Sequence, residues 1–374
     1  MDLSAIPVLD HHAHGLMRAG DAPRAPYAAF FSEARDPEQI AAHAPRTLAY
    51  RRCLRDVAEL LGVEPDEAAI AERRDAMGWE AYARTFLAAA KIEAAFIDDG
   101  FAADELAPVG WHDRFFATAR LLRLETHAEA ILARSAEFDQ FAERFRASLD
   151  PPPAGVAAFK SIAAYRTGLD VRWPARQDAE EGFRAYKRGS GRLAQKPLVD
   201  HILGLALEVA ARRGLPVQFH TGFGDPDLDL RLANPLHLRV ILEDERFRRV
   251  PLVLLHASYP FAREAGYLAA TYAQVFLDLG LAIPLLSVSG MRRALGQLIE
   301  LGPASKVLYS SDAHHLPELY YLAATRGREA LGRVIDEAIR DGDLTAREAE
   351  QMAKDILRGN AARVYRWPAE HAAP

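Results

Sequence analysis

A (β/α)8 TIM barrel, with a helical insertion after its first strand and a helical C-terminus, is the α/β fold this sequence predicts. Three observations predict it. Short apolar runs recur along the 374 residues, near positions 8, 94, 121, 157, 217, 253, 276 and 308. Helical segments alternate with them, as in parallel βαβ units whose sheet is covered on both faces. His12, His14, Lys160, His220, His256 and Asp312 stand at the C-terminal ends of such runs, and in a barrel those ends converge on one mouth. The fold typically needs about 250 residues; the surplus here falls in the insertion and the C-terminal helices. An open doubly wound sheet is the alternative, but no Gly-x-Gly-x-x-Gly turn supports a dinucleotide-binding version of it.

The elements follow in order. An apolar run at 6–9 opens the chain, and a polar loop containing Pro and Gly covers 15–26. Apolar residues at near-3.6 spacing predict helices over 47–61 and, with many alanines, over 66–90. The next strand comes only at 92–97, ending in Asp98-Asp99-Gly100. The insertion is therefore placed at 27–90 of a single barrel domain spanning 1–374. A third strand is read at 119–124 and a helix at 128–149, before the stiff break Pro151-Pro152-Pro153. The run 156–159 ends at Lys160. An amphipathic helix over 197–214 is closed by Gly214. Four further runs follow: 216–219 into His220, 250–255 into His256, 275–277 into Asp278, and 306–310 into Ser311-Asp312.

Composition narrows the function classes. The formal charge is −6 and acids are interleaved with the arginines, which is not the basic face of a nucleic-acid binder. One cysteine, Cys53, excludes an intramolecular disulfide and a cysteine-based zinc cluster. The first residues lack the basic and apolar regions of a signal peptide. No stretch approaches the ~20 apolar residues of a membrane span. A cytoplasmic protein acting on a small molecule, without nucleic-acid or membrane partners, is the expectation; a homo-oligomer is compatible with it.

The chemistry starts at Asp10-His11-His12-Ala13-His14. Side chains alternate along a strand, so His12 and His14 share a face while His11 points away and reads as structural support. A lone histidine at a strand end is commonly just a polar residue at a loop boundary. Three or four imidazoles and a carboxylate at one mouth are better explained as ligands of a first-row metal, Zn2+ most naturally and Mn or Fe also. Lys160 is ambiguous. An ammonium repels a cation, so Lys160 either reaches solvent or, carboxylated by carbon dioxide, bridges two ions.

The order Asp-x-His-x-His, Lys, His, His, Asp resembles the amidohydrolase superfamily of metal-dependent hydrolases. Longer stretches resemble its subgroup containing the hydrolase-like half of fungal FluG proteins. These are Phe159-Lys160-Ser161-Ile162 with Tyr165-Arg166-Thr167-Gly168-Leu169, Gln218-Phe219-His220-Thr221-Gly222, and Asn234-Pro235-Leu236-His237-Leu238. Leu254-Leu255-His256-Ala257-Ser258-Tyr259-Pro260 and Ser311-Asp312-Ala313-His314 with Pro317-Glu318 belong to the same set. The tail Gly359-Asn360-Ala361-Ala362-Arg363-Val364-Tyr365 resembles the usual ending of the superfamily. The likeness covers the first strand and nearly all of 156–367, and is vague over the inserted helices.

The resemblance implies His12, His14, His220, His256 and Asp312 as metal ligands, with Lys160 in the place of a carboxylated bridge. That favours two ions over one. It implies hydrolysis of an amide or related C–N bond by metal-activated water, with Asp312 moving the proton. His256 or His314 would stabilise the oxyanion; His314 could equally orient a ligand. Arg166 and Tyr259 are candidates to grip a substrate carboxylate and its flank, although Arg166 could instead pair with Asp170. Asp98 and Glu125 are weaker candidates for the mouth. A γ-glutamyl-type amide is the first substrate to test. A one-metal decarboxylase or uronate-isomerase-like enzyme is the alternative, and a non-catalytic binding module is disfavoured by the intact ligand set.

Overall fold

A computed structural model describes residues 1–18, 25–189, 191–280 and 285–368. Of the expected loop at 15–26, positions 19–24 lie outside the described residues. Strands run β1 (Val8–Ala13), β2 (Ile92–Asp98), β3 (Ala117–Arg123), β4 (Val156–Ser161), β5 (Val217–Phe219), β6 (Leu252–Leu254), β7 (Val275–Asp278) and β8 (Val307–Leu308). Each pairs in parallel with the next, giving one sheet in sequence order. Backbone bonds from His11 N to Tyr309 O (3.3 Å), Asp312 N to His12 O (3.0 Å) and His14 N to Ala313 O (2.7 Å) join the last strand's extension to the first. The buried Asp10 carboxylate reinforces that seam, accepting from the amide and hydroxyl of Ser311. This is the (β/α)8 barrel that the apolar runs predict.

Several boundaries differ from the sequence reading. The helix expected over 66–90 is two, Glu67–Met77 and Trp79–Ala90. Gly78 separates them at φ 74, ψ 150, a conformation outside the reach of most side chains. The helix expected over 128–149 is also two, Leu124–Leu132 and Phe138–Leu149. Between them the Ser135 hydroxyl turns back onto the Ile131 carbonyl, so the hydrogen-bond ladder stops there. Because Leu124 begins a helix, β3 ends one residue earlier than expected and leaves Arg123 at the mouth.

One apolar cluster fills the barrel, including Leu9, Phe96, Leu121, Val253, Leu255 and Leu308. A larger one packs the helices on the outside of the sheet. The C-terminal turns after helix Ala346–Lys354 seal the barrel from its N-terminal end. Asn360 Nδ2 donates to the carbonyls of Ala304 and Val307 at the start of β8, and Ala361 and Tyr365 join the interior cluster. The helices between β1 and β2 are tied to the barrel by a buried acid: Glu318 accepts from Tyr82 Oη at 2.7 Å and Tyr27 Oη at 3.4 Å.

Candidate metal centre

His12 and His14 project from β1 to the same side, and their Nε2 atoms lie 3.0 and 3.3 Å from Asp312 Oδ1. Each ring is oriented by its other nitrogen. His14 Nδ1 donates to the Asp98 carbonyl at 3.1 Å, and His12 Nδ1 donates to Gln218 Oε1 at 2.8 Å. The Nε2 atoms are then lone-pair acceptors facing a carboxylate oxygen, and Asp312 Oδ1 has no hydrogen-bond donor among the described residues. Apart from Lys160 Nζ, 3.4 Å from His12 Nε2, no donor among the described residues meets these acceptors, and acceptors so converging are what a divalent cation satisfies.

His256 adds to the set from the end of β6. Its ring is buried, Nδ1 lies 3.6 Å from Asp312 Oδ2, and neither ring nitrogen has a hydrogen-bond partner among the described residues. His256 and Asp312 both hold left-handed backbone, at φ 67 and φ 50. Such conformations cost energy in residues with a β-carbon and persist where the surroundings enforce them. Here the His256 amide is held by Asp278 Oδ2 at 2.7 Å. The rings are kept neutral. Burial, followed by the Lys160 charge, lowers His12 to about 4. Burial also takes His220 and His256 well below the ordinary imidazole value. Burial alone would raise Asp312, but the positive charge that His256 carries when protonated, and N–H donation from His12 and His14 when their Nε2 atoms hold protons, draw its carboxyl well below the usual range.

The remaining expected ligands sit next to this group rather than in it. His12, His14 and Asp312 have ligand atoms within 4.8 Å of one another. Lys160 Nζ is buried 3.4 Å from His12 Nε2, and burial lowers it to about 8 against the pull of Asp312 and Asp98. His220 stacks on His256 at 4.4 Å and on Tyr165 at 4.5 Å between ring centroids. Its Nε2 donates to Phe223 O at 3.1 Å, leaving Nδ1 for any ligand. Gly222, at φ 74, brings the loops together. A β-carbon there would stand 2.3 Å from the Tyr259 carbonyl oxygen.

These groups line a cavity of about 410 Å³. His314 lines it too, with Nδ1 2.9 Å from His315 Nδ1 and burial lowering its pKa to about 3. Arg166 lines it, but its acidic partner is Glu129 at 3.3 Å; Asp170 pairs with Arg172 instead. The Arg166 Nε is buried without a hydrogen-bond partner among the described residues. Tyr259 does not join the lining among the described residues; its ring packs edge-on against Phe223. Of the weaker candidates, Glu125 accepts from Ser161 Oγ and Ile162 N and so shapes the end of β4. Asp98 is buried under a two-pronged bond from Arg123 at 2.9 and 2.7 Å.

Sequence reasoning missed Arg123, Tyr165, Glu33, Arg35, Arg192, Asp225 and Asp227, which also line the cavity. Arg123 carried the strand-end signal, one residue before the expected boundary. Tyr165 was flagged only as a neighbour of Arg166. Glu33 and Arg35 come from the inserted segment, where no periodicity or motif marks them. Burial raises Glu33 to about 7, with Asp312 and Asp225 adding to the shift.

Known proteins match this arrangement. The family model described as amidohydrolase matches residues 116–367, more than half of the chain. The protein fluG of Emericella nidulans is 32% identical over 399 aligned residues, covering 96% of this chain and 45% of that protein. The chain thus spans about half the length of this curated relative. A Lactobacillus casei structure assigned as a metal-dependent hydrolase superposes with TM-score 0.89 at 30% identity, covering 98% of this chain and 97% of that one. A uronate isomerase from Bacillus halodurans shares the fold at TM-score 0.66 and 14% identity, over 97% of this chain and 94% of its own. With an eight-stranded parallel barrel, neutral imidazoles and a carboxylate at its mouth, and a family match across most of the chain, this protein belongs to the amidohydrolase family.

Proposed function

We propose that the chain is a metal-dependent enzyme that hydrolyses an amide or related C–N bond of a small, carboxylate-bearing substrate. The observation that carries this reading is the convergence of ligand atoms on one point: His12 Nε2, His14 Nε2 and Asp312 Oδ1, beside the ring of His256, which has no partner among the described residues. His12, His14, His256 and Asp312 would hold an ion, with Lys160 and His220 beside them for a second. The imidazole-rich donor set suits Zn2+, with Mn or Fe compatible. Held there, such an ion supplies Lewis acidity and lowers the pKa of a water molecule toward neutrality.

The protein's own groups supply the rest. Asp312, whose carboxyl lies well below the usual range and is therefore ionised near neutrality, accepts the proton of the attacking water and passes it to the leaving nitrogen. Arg166, whose Nε meets no acceptor among the described residues, would bind a substrate carboxylate. His314 presents a neutral imidazole at the cavity wall. Lys160, lowered to about 8, offers part of its population as the free amine. That amine adds carbon dioxide to give a carbamate, releasing one proton, and so becomes an anionic ligand.

Elemental analysis combined with turnover of γ-glutamyl and other N-acyl amides tests the reading. Stoichiometric metal and hydrolysis that stops on chelation are expected. Protein without stoichiometric metal, or hydrolysis untouched by a chelator, would overturn it. One observation favours a second reading, a decarboxylase or sugar-acid isomerase using one ion: the tight group of His12, His14 and Asp312 is of single-ion size. One equivalent of metal with an unmodified Lys160, and turnover of uronates in place of amides, would select it.

A further inference from the structure

We infer that Tyr365, in the tail that closes the barrel from below, is a positioning residue of the metal centre: with the His11 carbonyl, its hydroxyl holds the Gln218 amide that sets which ring nitrogen His12 presents to the ion. The inference rests on the metal reading above. It starts from a chain of buried hydrogen bonds that the proposed chemistry does not use. Gln218 on β5 and Asp278 on β7 are fully buried, as is His11 on β1. Tyr365 reaches them from the tail, stacked on His11 at 5.6 Å and set edge-on against Phe96 at 4.9 Å.

The direction of every bond follows from groups that can only accept or only donate. The Gln218 amide contacts the His11 carbonyl at 2.8 Å, Tyr365 Oη at 2.7 Å and His12 Nδ1 at 2.8 Å. A carbonyl only accepts, so the amide nitrogen must face His11 O; the flipped amide would set two oxygens against each other. Gln218 Oε1 therefore faces His12, and His12 Nδ1 must carry the proton. Its Nε2 is left as the lone pair beside Asp312 Oδ1.

The second amide proton of Gln218 goes to Tyr365 Oη. That hydroxyl in turn donates to His11 Nδ1 at 3.1 Å. His11 Nε2 then carries its proton and donates to Asp278 Oδ1 at 3.0 Å. The other Asp278 oxygen accepts from the amides of His256 and Gly280, at 2.7 and 3.0 Å. One relay thus sets the ring of one candidate ligand and the left-handed backbone of another. Without the hydroxyl, Gln218 loses an acceptor and His11 Nδ1 loses a donor, and the amide is held on this side only by the His11 carbonyl at 2.8 Å and the longer approach to His11 Nδ1 at 3.3 Å. The tail then does more than plug the barrel: its docking is coupled to the affinity of the centre.

Tyr365→Phe removes the hydroxyl and keeps the ring on His11 and Phe96. Val364→Ala, in the same tail, loosens packing without touching the relay. Zn2+ affinity is read by competition with a chromogenic chelator, the site geometry by the visible spectrum of Co2+-loaded protein, and folding by thermal melts of the metal-free form. Tyr365→Phe is expected to weaken Zn2+ binding about 10–100-fold, as loss of a ligand-orienting partner typically does, and to change the Co2+ spectrum. Val364→Ala is expected to lower the melting temperature and leave both signals as in wild type. Gln218→Leu should weaken binding at least as much, and adding Tyr365→Phe to it should cost nothing further, because the two act in series. Wild-type affinity in Tyr365→Phe, losses that track melting temperature equally in both tail variants, or additive losses in the double variant would overturn the inference. If Gln218→Leu does not fold, the comparison of the two tail variants decides alone. Wild-type protein that binds no Zn2+ would overturn the metal reading itself, and this inference with it.

Discussion

Asp312 and Arg35 are charged residues of the same cavity, yet their side chains are 10% and 57% exposed. Asp312 lies on the floor, just past β8, where the barrel seam, the histidines and a left-handed backbone fix its carboxylate. Arg35 lies on the rim, in the inserted segment, and pairs with Asp225 at 2.8 Å and Asp227 at 3.0 Å. Arg192 shares Asp227 from the far side, also at 3.0 Å. On the floor, desolvation makes each unpaired donor or acceptor expensive, so geometry is over-determined. At the rim, water screens the ion pairs and each is worth only about 0–1 kcal/mol. The difference teaches where the two tasks of a site can live. Chemistry needs the rigid floor; admission and selection of a substrate can be left to the adjustable rim.

The comparison predicts a graded set of effects. Asp312→Asn keeps the shape and removes the base, so kcat should fall about a hundred- to ten-thousandfold. The circular dichroism spectrum and melting curve should stay close to wild type. Retention of full kcat on a genuine substrate would dissolve the distinction at its strongest point. Arg166→Ala should act next most strongly, on KM rather than kcat. A charged hydrogen bond of about 1.5–3 kcal/mol corresponds to a roughly ten- to hundredfold rise in KM for carboxylate-bearing substrates. Equal losses for neutral analogues would show that Arg166 merely supports the wall through Glu129.

The same division explains what could be read from the chain alone. The floor is written in strand-end residues: apolar runs point to His220, His256 and Asp312, and alternation places His12 and His14 together. These are short-range signals. Tyr259 packs on Phe223 because His256, Ala257 and Ser258 all take positive φ, at 67, 52 and 47, and turn the chain there. No residue type in that stretch announces such a turn. Gly78 was overlooked inside an alanine-rich stretch whose pattern continues on both sides of it. The rim is harder still. Arg35 meets Asp225 across 190 positions of sequence, and neither lies in a periodic segment. Gln218 and Tyr365, 147 positions apart, were visible only as parts of motifs whose role the sequence does not state.

Acidity gives a third, smaller effect that again separates floor from rim. His12 is held near 4 in the folded protein, against 6.5 for the free side chain. Between those values the unfolded chain binds the proton and the folded one does not. Stability therefore rises with pH across that window and is lost as pH falls from 6.5 toward 4. His220 and His256 shift in the same direction. Melting temperatures of metal-free protein should fall across this range. A flat profile would mean that the imidazoles are not held neutral by burial.

The smallest effect expected is at the rim. Asp227→Asn removes the negative charge shared by Arg35 and Arg192 and leaves the floor untouched. With each exposed pair worth about 0.2–1 kcal/mol, KM should change by no more than about fivefold per pair and kcat hardly at all. Salt offers an independent check. Raising the ionic strength to about 1 M shortens the Debye length to about 3 Å. Wild-type protein should then approach the KM of Asp227→Asn, while the variant itself responds less. A kcat loss in Asp227→Asn comparable with that of Asp312→Asn would mean that the rim holds the reacting groups in place. The cavity would then act as one unit, and the inserted segment would belong to its catalytic machinery.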